Sequence, residues 1–282
     1  MVATVGIIGS GIMGSGIAEV AARAGYDVVL RSRKADSGQQ MLSQLTRSLD
    51  RHVAKGRLSE EDRDATVARV SVTTELAGLA SCDLVLESVV EDLDVKKSLF
   101  AELDQICQPD AILATNTSTL PVVELAVATQ RPSLVCGIHF FNPAPAMSLV
   151  EVIEPLTADP ATVAAAVEFA RACGKEPVRV KDRAGFIVNA LLFPYLNNAV
   201  RMLESGTAGA EDIDLAMKGG CNFPMGPLAL LDLVGLDTSL SILDALYDEF
   251  RDANYAAVPA LRRMVAAGHL GRKSGRGFYD YG

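Results

Sequence analysis

Apolar residues in this chain first gather in a β-rich run, Thr4 to Ile8, and then recur at helical intervals at Ile17, Val20, Ala21 and Ala24. Gly9-Ser10-Gly11-Ile12-Met13-Gly14 lies between the two, Gly25 suits the end of the helix, and a second apolar strand follows at Val28 to Leu30. Strand, glycine-rich turn, helix and strand make a βαβ unit. Further strands are predicted at Leu84 to Leu86, Ile112 to Ala114, Val135 to Ile138 and Leu149 to Ile153, with helical stretches such as Lys96 to Cys107 between them. That alternation implies an α/β class, a Rossmann-type doubly wound and mostly parallel sheet.

The pattern changes twice. From Asp36 to Arg69 the chain is charged and helix-favouring without strand signals, which predicts a helical excursion beside the sheet. From about Phe186 it is apolar at helical spacing (Ile187, Leu191, Leu192, Tyr195, Leu196, Val200, Leu203), broken at Gly206 and at Cys221 to Pro227. An all-helical C-terminal domain is expected there, with the boundary near Arg183 to Gly185: residues 1–184 bind the dinucleotide, and residues 185–282 form the helical domain.

Composition narrows the function. The 282 residues are 49% hydrophobic, and 26 basic against 35 acidic residues give a net charge of −9, which argues against nucleic acid as a partner. A polyanionic ligand must be held by local cations and backbone amides. Five cysteines without a C-x-x-C pair read as reduced thiols, with neither a disulfide framework nor a metal site. No apolar run approaches the ~20 residues of a membrane span, and the N-terminus lacks an export signal, so a cytoplasmic protein is expected.

After a strand and opening a helix, G-x-G-x-x-G is a specific signal for a pyrophosphate site. Gly9 permits the tight turn, Gly11 lets the backbone approach phosphate, and Gly14 lets the helix pack on the strand, with Ile12 and Met13 contributing first-turn amides. The second strand ends Leu30-Arg31-Ser32-Arg33-Lys34, without the acid that usually binds the ribose 2′-hydroxyl of NAD. Ser32 can donate to a 2′-phosphate and Arg33 offers it a planar, charged fork, so NADP is the expected cofactor and NAD the alternative.

His139 stands at the end of a predicted strand, where ligand-facing residues lie in this architecture, whereas His52 and His269 read as surface or core residues. Glu151, twelve residues on, is an acid inside an apolar strand, which is costly unless paired. Meeting across a proline-containing hairpin, the two would form a dyad that holds the imidazole in one orientation. Asn116-Thr117-Ser118-Thr119 follows another strand and is either a polar cluster at the sheet's carboxyl edge or a helix cap before Pro121. Asn189, at the start of an apolar helix, could face a cleft, cap the helix or lie on the surface.

These motifs together resemble the L-3-hydroxyacyl-CoA dehydrogenase family, its short bacterial 3-hydroxybutyryl-CoA branch in particular, over nearly the whole chain. The resemblance rests on GSGIMGSGIAEVAARAG, ESVVEDLDVKKSLFAELD, NTSTL, HFFNPAPAMSLVEVI, DRAGFIVNALLFPYLNNAV, PMGPLALLDLVGLD and LGRKSGRGFYDY. It implies a homodimer formed through the helical domain, the S configuration at C3, and a catalytic His139 with Glu151 as its partner acid. It further implies that Ser118 and Asn189 bind the substrate oxygen, that Glu91, Lys96, Asn116, Asn142 and Lys273 line the dinucleotide, and that Ser48 and Lys55 contact the CoA nucleotide. The chain departs from the family in two places: Phe223 stands in a helical-domain loop where many relatives have histidine, and Ser148, where lysine is common, bears on the acyl or CoA contacts.

The expected reaction is reversible hydride transfer between NADP(H) and C3 of a short 3-hydroxyacyl-CoA, 3-hydroxybutyryl-CoA and acetoacetyl-CoA first, as part of fatty acid metabolism. The same chemistry on an acyl carrier protein or a free 3-hydroxy acid is an alternative, against which Arg47, Arg51, Lys55 and Arg57 supply cations for a CoA phosphate. A non-catalytic dinucleotide-binding protein is a third reading.

Overall fold

The computed structural model describes residues 2–282, and the chain divides into two compact units, one ending at Asp182 and one running from Arg183 to Gly282. Among the described residues, eight strands of the first unit form a single sheet: β1 (Thr4–Ile8), β2 (Asp27–Arg31), β3 (Val70–Thr73), β4 (Leu84–Glu87), β5 (Ile112–Thr115), β6 (Val135–Phe140), β7 (Leu149–Glu154) and β8 (Glu176–Lys181). Their order is β3-β2-β1-β4-β5-β6-β7-β8. The first six run parallel, β7 is antiparallel to β6, and β8 is parallel to β7. Strand order reverses between β1 and β4, the switch point where sheets of this kind bind ligands beyond their carboxyl ends.

Strands β4, β5 and β6 are buried at every position, as parallel strands covered on both faces must be, and they read as apolar runs up to Glu87, Thr115 and His139 near their carboxyl ends. The covering helices are α1 (Ile12–Arg23), α2 (Ala35–Ala54), α3 (Glu60–Ala68), α4 (Leu93–Ile106), α5 (Val122–Ala126) and α6 (Pro160–Ala172). Ile17 and Ala21 of α1 pack with Val5, Ile7 and Leu84 of the sheet. The excursion consists of α2 and α3. Met41, Leu45 and Leu49 give α2 one buried stripe at four-residue spacing, leaving its charges outside. Ser59 caps α3 by accepting from the Asp62 amide, a contact whose loss costs about 1 kcal/mol.

Two strands lie outside the set expected from the sequence, β3 and β8, which form the two edges of the sheet. In β8 only Pro177, Val178 and Val180 are apolar and no residue is fully buried, so the run carries no core signal; its place is fixed by the ladder it makes with β7. Strand β3 is four residues long and buries only Val70. Edge strands need little apolar surface, and both are short or charged as open edges usually are.

The second unit contains α7 (Val188–Glu204), α8 (Ala210–Cys221), α9 (Pro227–Val234), α10 (Leu236–Phe250) and α11 (Pro259–Ala266). Phe193, Leu196, Leu228, Leu231, Leu243 and Leu261 are among the side chains of its core. The breaks fall at Gly206 and after Cys221, where Asn222 takes a left-handed conformation. Two buried carboxylates organise its end. Asp214 accepts from the Leu228 and Ala229 amides at the start of α9 and from the Tyr279 hydroxyl, and Asp232 accepts from the Phe278 and Tyr279 amides and the Tyr281 hydroxyl. Burial, then the Asp214 contact, raise the Tyr279 phenol above its ordinary range, so it remains a donor. Among the described residues, no helix is long and apolar enough to cross a membrane.

Candidate active site

A cleft of about 880 Å³ opens at the carboxyl ends of β1, β2 and β4. Gly9 and Gly11 line it on one side, Arg31, Ser32 and Arg33 on another, and Asp94, Val95, Ser98 and Glu102 from α4 on a third. Gly9 has φ +131°, and a Cβ there would stand 2.2 Å from the Ser88 carbonyl oxygen; a Cβ on Gly14 would stand 2.3 Å from the Gly9 carbonyl oxygen. Both positions exclude any side chain. A Cβ on Gly11 would meet nothing within 4 Å, so its backbone is open to an approaching ligand. Gly11 is the N-cap of helix α1, which has no side-chain cap and no acid in its first turn, and this leaves its N-terminal amides to an anion.

At the end of β2 the Ser32 hydroxyl is buried and has no hydrogen-bond partner, while its amide donates to the Thr73 carbonyl. Arg31 Nε donates to the Thr74 carbonyl at 3.2 Å, which holds that side chain against the sheet, and Arg33 is exposed. This end of the cleft therefore offers a ligand an unpaired hydroxyl and an exposed guanidinium, with no acid at the end of β2. Asp94 and Glu102 on the α4 wall supply the cleft's opposing charge.

His139 and Glu151 are direct cross-strand partners in the antiparallel β6–β7 ladder, so their side chains rise from the same face. Glu151 Oε2 lies 2.8 Å from His139 Nδ1, and Ser118 Oγ lies 3.1 Å from Nε2. Glu151 is fully buried, His139 is 4% exposed, and the Phe141 ring packs on the imidazole with centroids 4.5 Å apart. As the carboxylate accepts from Nδ1, the Nε2 atom of a neutral ring is left as the base. Removing the imidazole would leave a buried carboxylate without this hydrogen bond, which typically costs about 1–3 kcal/mol or more.

The Asn116–Thr119 segment is not a cap: α5 begins after Pro121, and its first amides, those of Val122 and Val123, donate to the Asp182 carboxylate at 3.0 and 2.7 Å. Instead Asn116 Oδ1 accepts from the Phe140 amide at 2.8 Å, tying the end of β5 to the end of β6 beside His139. The Thr117 hydroxyl and the Ser118 amide donate to Glu91 Oε1. Burial alone would raise the Glu91 carboxyl, but the Lys96 ammonium, the Thr117 hydroxyl and the Ser118 amide together hold it below its ordinary range.

Other expected site residues fall elsewhere. Lys96 is 1% exposed, with Nζ 2.6 Å from Glu87 and 3.3 Å from Glu91, so it faces protein carboxylates. Asn142 is exposed just beyond β6, before Pro143. Ser48, half-buried, and Lys55, exposed, lie seven residues apart at the outer end of α2 and share one side of it with Arg51. In the second unit, Asn189 is buried in the first turn of α7 and is not its cap, which is Ile187; Lys273 Nζ lies 2.6 Å from Asp237.

Sequence reasoning did not single out Glu87, Thr115 or the α4 wall of the cleft. Glu87 had a signal: an acid at the end of the apolar run Leu84 to Leu86, nine residues before a lysine. Asp94, Ser98 and Glu102 recur every four residues and so share a helix face, which the sequence shows without showing what the face looks upon.

A glycine-turn cleft and a histidine–carboxylate pair on the carboxyl edge of one doubly wound sheet define a class, the dinucleotide-dependent dehydrogenases. Comparison with known proteins agrees and goes further. Residues 4–183 match the model of the 3-hydroxyacyl-CoA dehydrogenase NAD binding domain, and residues 185–281 that of the 3-hydroxyacyl-CoA dehydrogenase C-terminal domain. A 3-hydroxybutyryl-CoA dehydrogenase of Mycobacterium tuberculosis is 49% identical over 98% of each chain, and one of Clostridioides difficile is 46% identical over 98% of each. The crystal structure of an (S)-3-hydroxybutyryl-CoA dehydrogenase from Ralstonia eutropha superposes with a TM-score of 0.98 at 42% identity, covering both chains fully. The chain belongs to the 3-hydroxyacyl-CoA dehydrogenase family.

Proposed function

We propose that the protein is a 3-hydroxybutyryl-CoA dehydrogenase that prefers NADP(H) to NAD(H). The observation that carries this reading is His139 held between Glu151 and Ser118 on the sheet that also forms the glycine-turn cleft. When bound, the dinucleotide gives or takes a hydride at its nicotinamide ring. His139 handles the proton: its neutral Nε2 removes the 3-hydroxyl proton in oxidation, and the imidazolium returns it to the 3-keto oxygen in reduction. Glu151 keeps the ring oriented and stabilises the imidazolium, and the Ser118 hydroxyl donates to the substrate oxygen, a contact of a kind commonly worth ~100-fold in rate. Asn189 is assigned to the same oxygen on the family resemblance.

The α1 amides and the Gly9–Gly14 turn would hold the pyrophosphate, with Arg33 and Ser32 at an adenosine 2′-phosphate. Glu91, Lys96, Asn116, Asn142 and Lys273 are assigned to the dinucleotide site, and Ser48 and Lys55 to the CoA nucleotide, on the resemblance. The exposed apolar side chains Leu191, Met202, Leu215 and Leu233 of the helical unit support a homodimer. All five cysteines are free, and burial pushes the Cys82, Cys136 and Cys173 thiols up to about 12, which leaves them poor nucleophiles.

Initial rates of acetoacetyl-CoA reduction with NADPH and with NADH test the reading. Turnover is expected with both and faster with NADPH at equal subsaturating concentration; no oxidation of either would sink it. The pantetheine thioester in place of the CoA substrate should react less efficiently, and equal efficiency would argue against CoA.

A further inference from the structure

Glu87 is a buried charge that the proposed chemistry leaves without a task. It ends β4, is fully enclosed, and accepts from Lys96 Nζ at 2.6 Å, from Thr115 Oγ1 at 2.7 Å and from the Val89 amide. A carboxylate and an ammonium sealed together are expensive to desolvate, and apolar residues of the same volume would often hold a fold as well. The pair therefore calls for a reason beyond stability.

The contacts of Lys96 point to one. Its second carboxylate is Glu91, 3.3 Å away, on the loop between β4 and α4 and 40% exposed at its side chain. Glu91 Oε1 gathers the Thr117 hydroxyl and the Ser118 and Thr119 amides. Ser118 Oγ then meets His139 Nε2 at 3.1 Å. An unbroken run of polar contacts leads from Glu87 through Lys96 and Glu91 to the turn that presents Ser118. Its anchored end is Glu87, where the contact is shorter and the burial complete. Without a lysine fixed behind it, Glu91 would be a solvent-facing loop carboxylate, free to leave the turn.

Resting on the dehydrogenase reading above, we infer that Glu87 is a positioning residue: through Lys96 and Glu91 it fixes the Thr117–Thr119 turn so that the Ser118 hydroxyl is held at His139. The role belongs to the charge of Glu87: a neutral amide of the same shape can still accept from Lys96, but it holds the ammonium by a hydrogen bond roughly half as strong as the charge-assisted one.

Glu87→Gln tests this in the full chain. At saturating dinucleotide its kcat for acetoacetyl-CoA reduction is expected to fall ~10- to 100-fold, the scale of a misplaced polar contact. Added to Ser118→Ala, however, it should cost no more than about 2-fold, because the hydroxyl it positions is already gone. A purely structural role predicts the same loss in both backgrounds, and that additivity would overturn the inference. A second readout needs no turnover. The imidazole nitrogen resonances of His139, one of three histidines, should move in Glu87→Gln in the direction they move in Ser118→Ala. If the unmodified chain proved inactive yet showed that shift, the dehydrogenase reading would fall and the inference would stand. An unmoved resonance in an inactive chain sinks both; in an active chain, additive losses sink the inference alone. Should Glu87→Gln not fold, Glu87→Gln combined with Lys96→Met removes both buried charges together, which folds tolerate better, and the same comparisons apply.

Discussion

The carboxyl edge of one sheet carries two regions built differently. Around β1, β2 and β4 the working groups are backbone: a turn where Gly9 and Gly14 have no room for a side chain, and an uncapped helix start. Around β5, β6 and β7 they are side chains from positions 118, 139 and 151, brought together by strand register. The first region binds by shape and dipole and depends on side chains being absent. The second depends on single atoms being present. Binding and chemistry should therefore separate under mutation.

The largest expected effect tests that separation directly. His139→Gln keeps a polar side chain of similar reach but has no base, and loss of general acid–base catalysis commonly costs about 10²- to 10⁴-fold in kcat. The dinucleotide dissociation constant, measured by quenching or transfer of NADPH fluorescence, should stay within about 2-fold. Should affinity fall together with turnover, the two regions would be one, and the comparison would be wrong.

A smaller effect is expected inside the binding region, where a few side chains sharpen what the backbone grips. Ser32→Asp with Arg33→Ile places an acid at the end of β2 and removes its exposed guanidinium. A hydrogen bond to a charged group is worth about 1.5–3 kcal/mol, so the ratio of kcat/KM for NADPH over NADH should drop at least ~10-fold. The kcat with NADH should change little, since the His139 geometry is untouched. An unchanged ratio would take the cofactor preference away from these residues.

The difference between the regions also decided what could be read in advance. Gly9, Gly11 and Gly14 follow a strand within six residues, so strand, turn and helix declare the site locally. The His139–Glu151 pairing was legible only in part: an acid inside an apolar strand must find a partner, but it is the β6–β7 register that sets the histidine opposite it. Strands β3 and β8 were not legible, because edge strands bury too little to show a pattern. Glu87 and Thr115 end neighbouring parallel strands, and their meeting at 2.7 Å depends on which strands are adjacent. That is a property of the topology, and a separation of 28 positions along the chain does not encode it. The role of Asn116 was hidden too, since a polar cluster before a proline looks like a cap until β6 is seen to take its hydrogen bond.

The smallest expected effect concerns the residue that joins the two regions. Glu91 sits on the loop leaving β4, beside the dinucleotide cleft, and its Oε1 holds the turn of Ser118. Its carboxyl is held below the ordinary range, against the effect of burial, by Lys96, Thr117 and Ser118. A depressed folded-state value means that Glu91 stabilises the native state above the ordinary carboxylate range, near pH 4.3, and that this contribution is lost as pH falls through the folded value. Glu91→Gln removes the contribution, so the variant should melt below the parent chain at pH 7, by no more than about 3 °C given the screening of a part-exposed group. As the pH is lowered below about 4, the two melting temperatures should converge, because the parent's carboxylate is then being protonated. A gap of constant size from pH 7 down to 3 would mean that Glu91 contributes by packing, and the charged link between binding region and reacting region would then have no energetic basis.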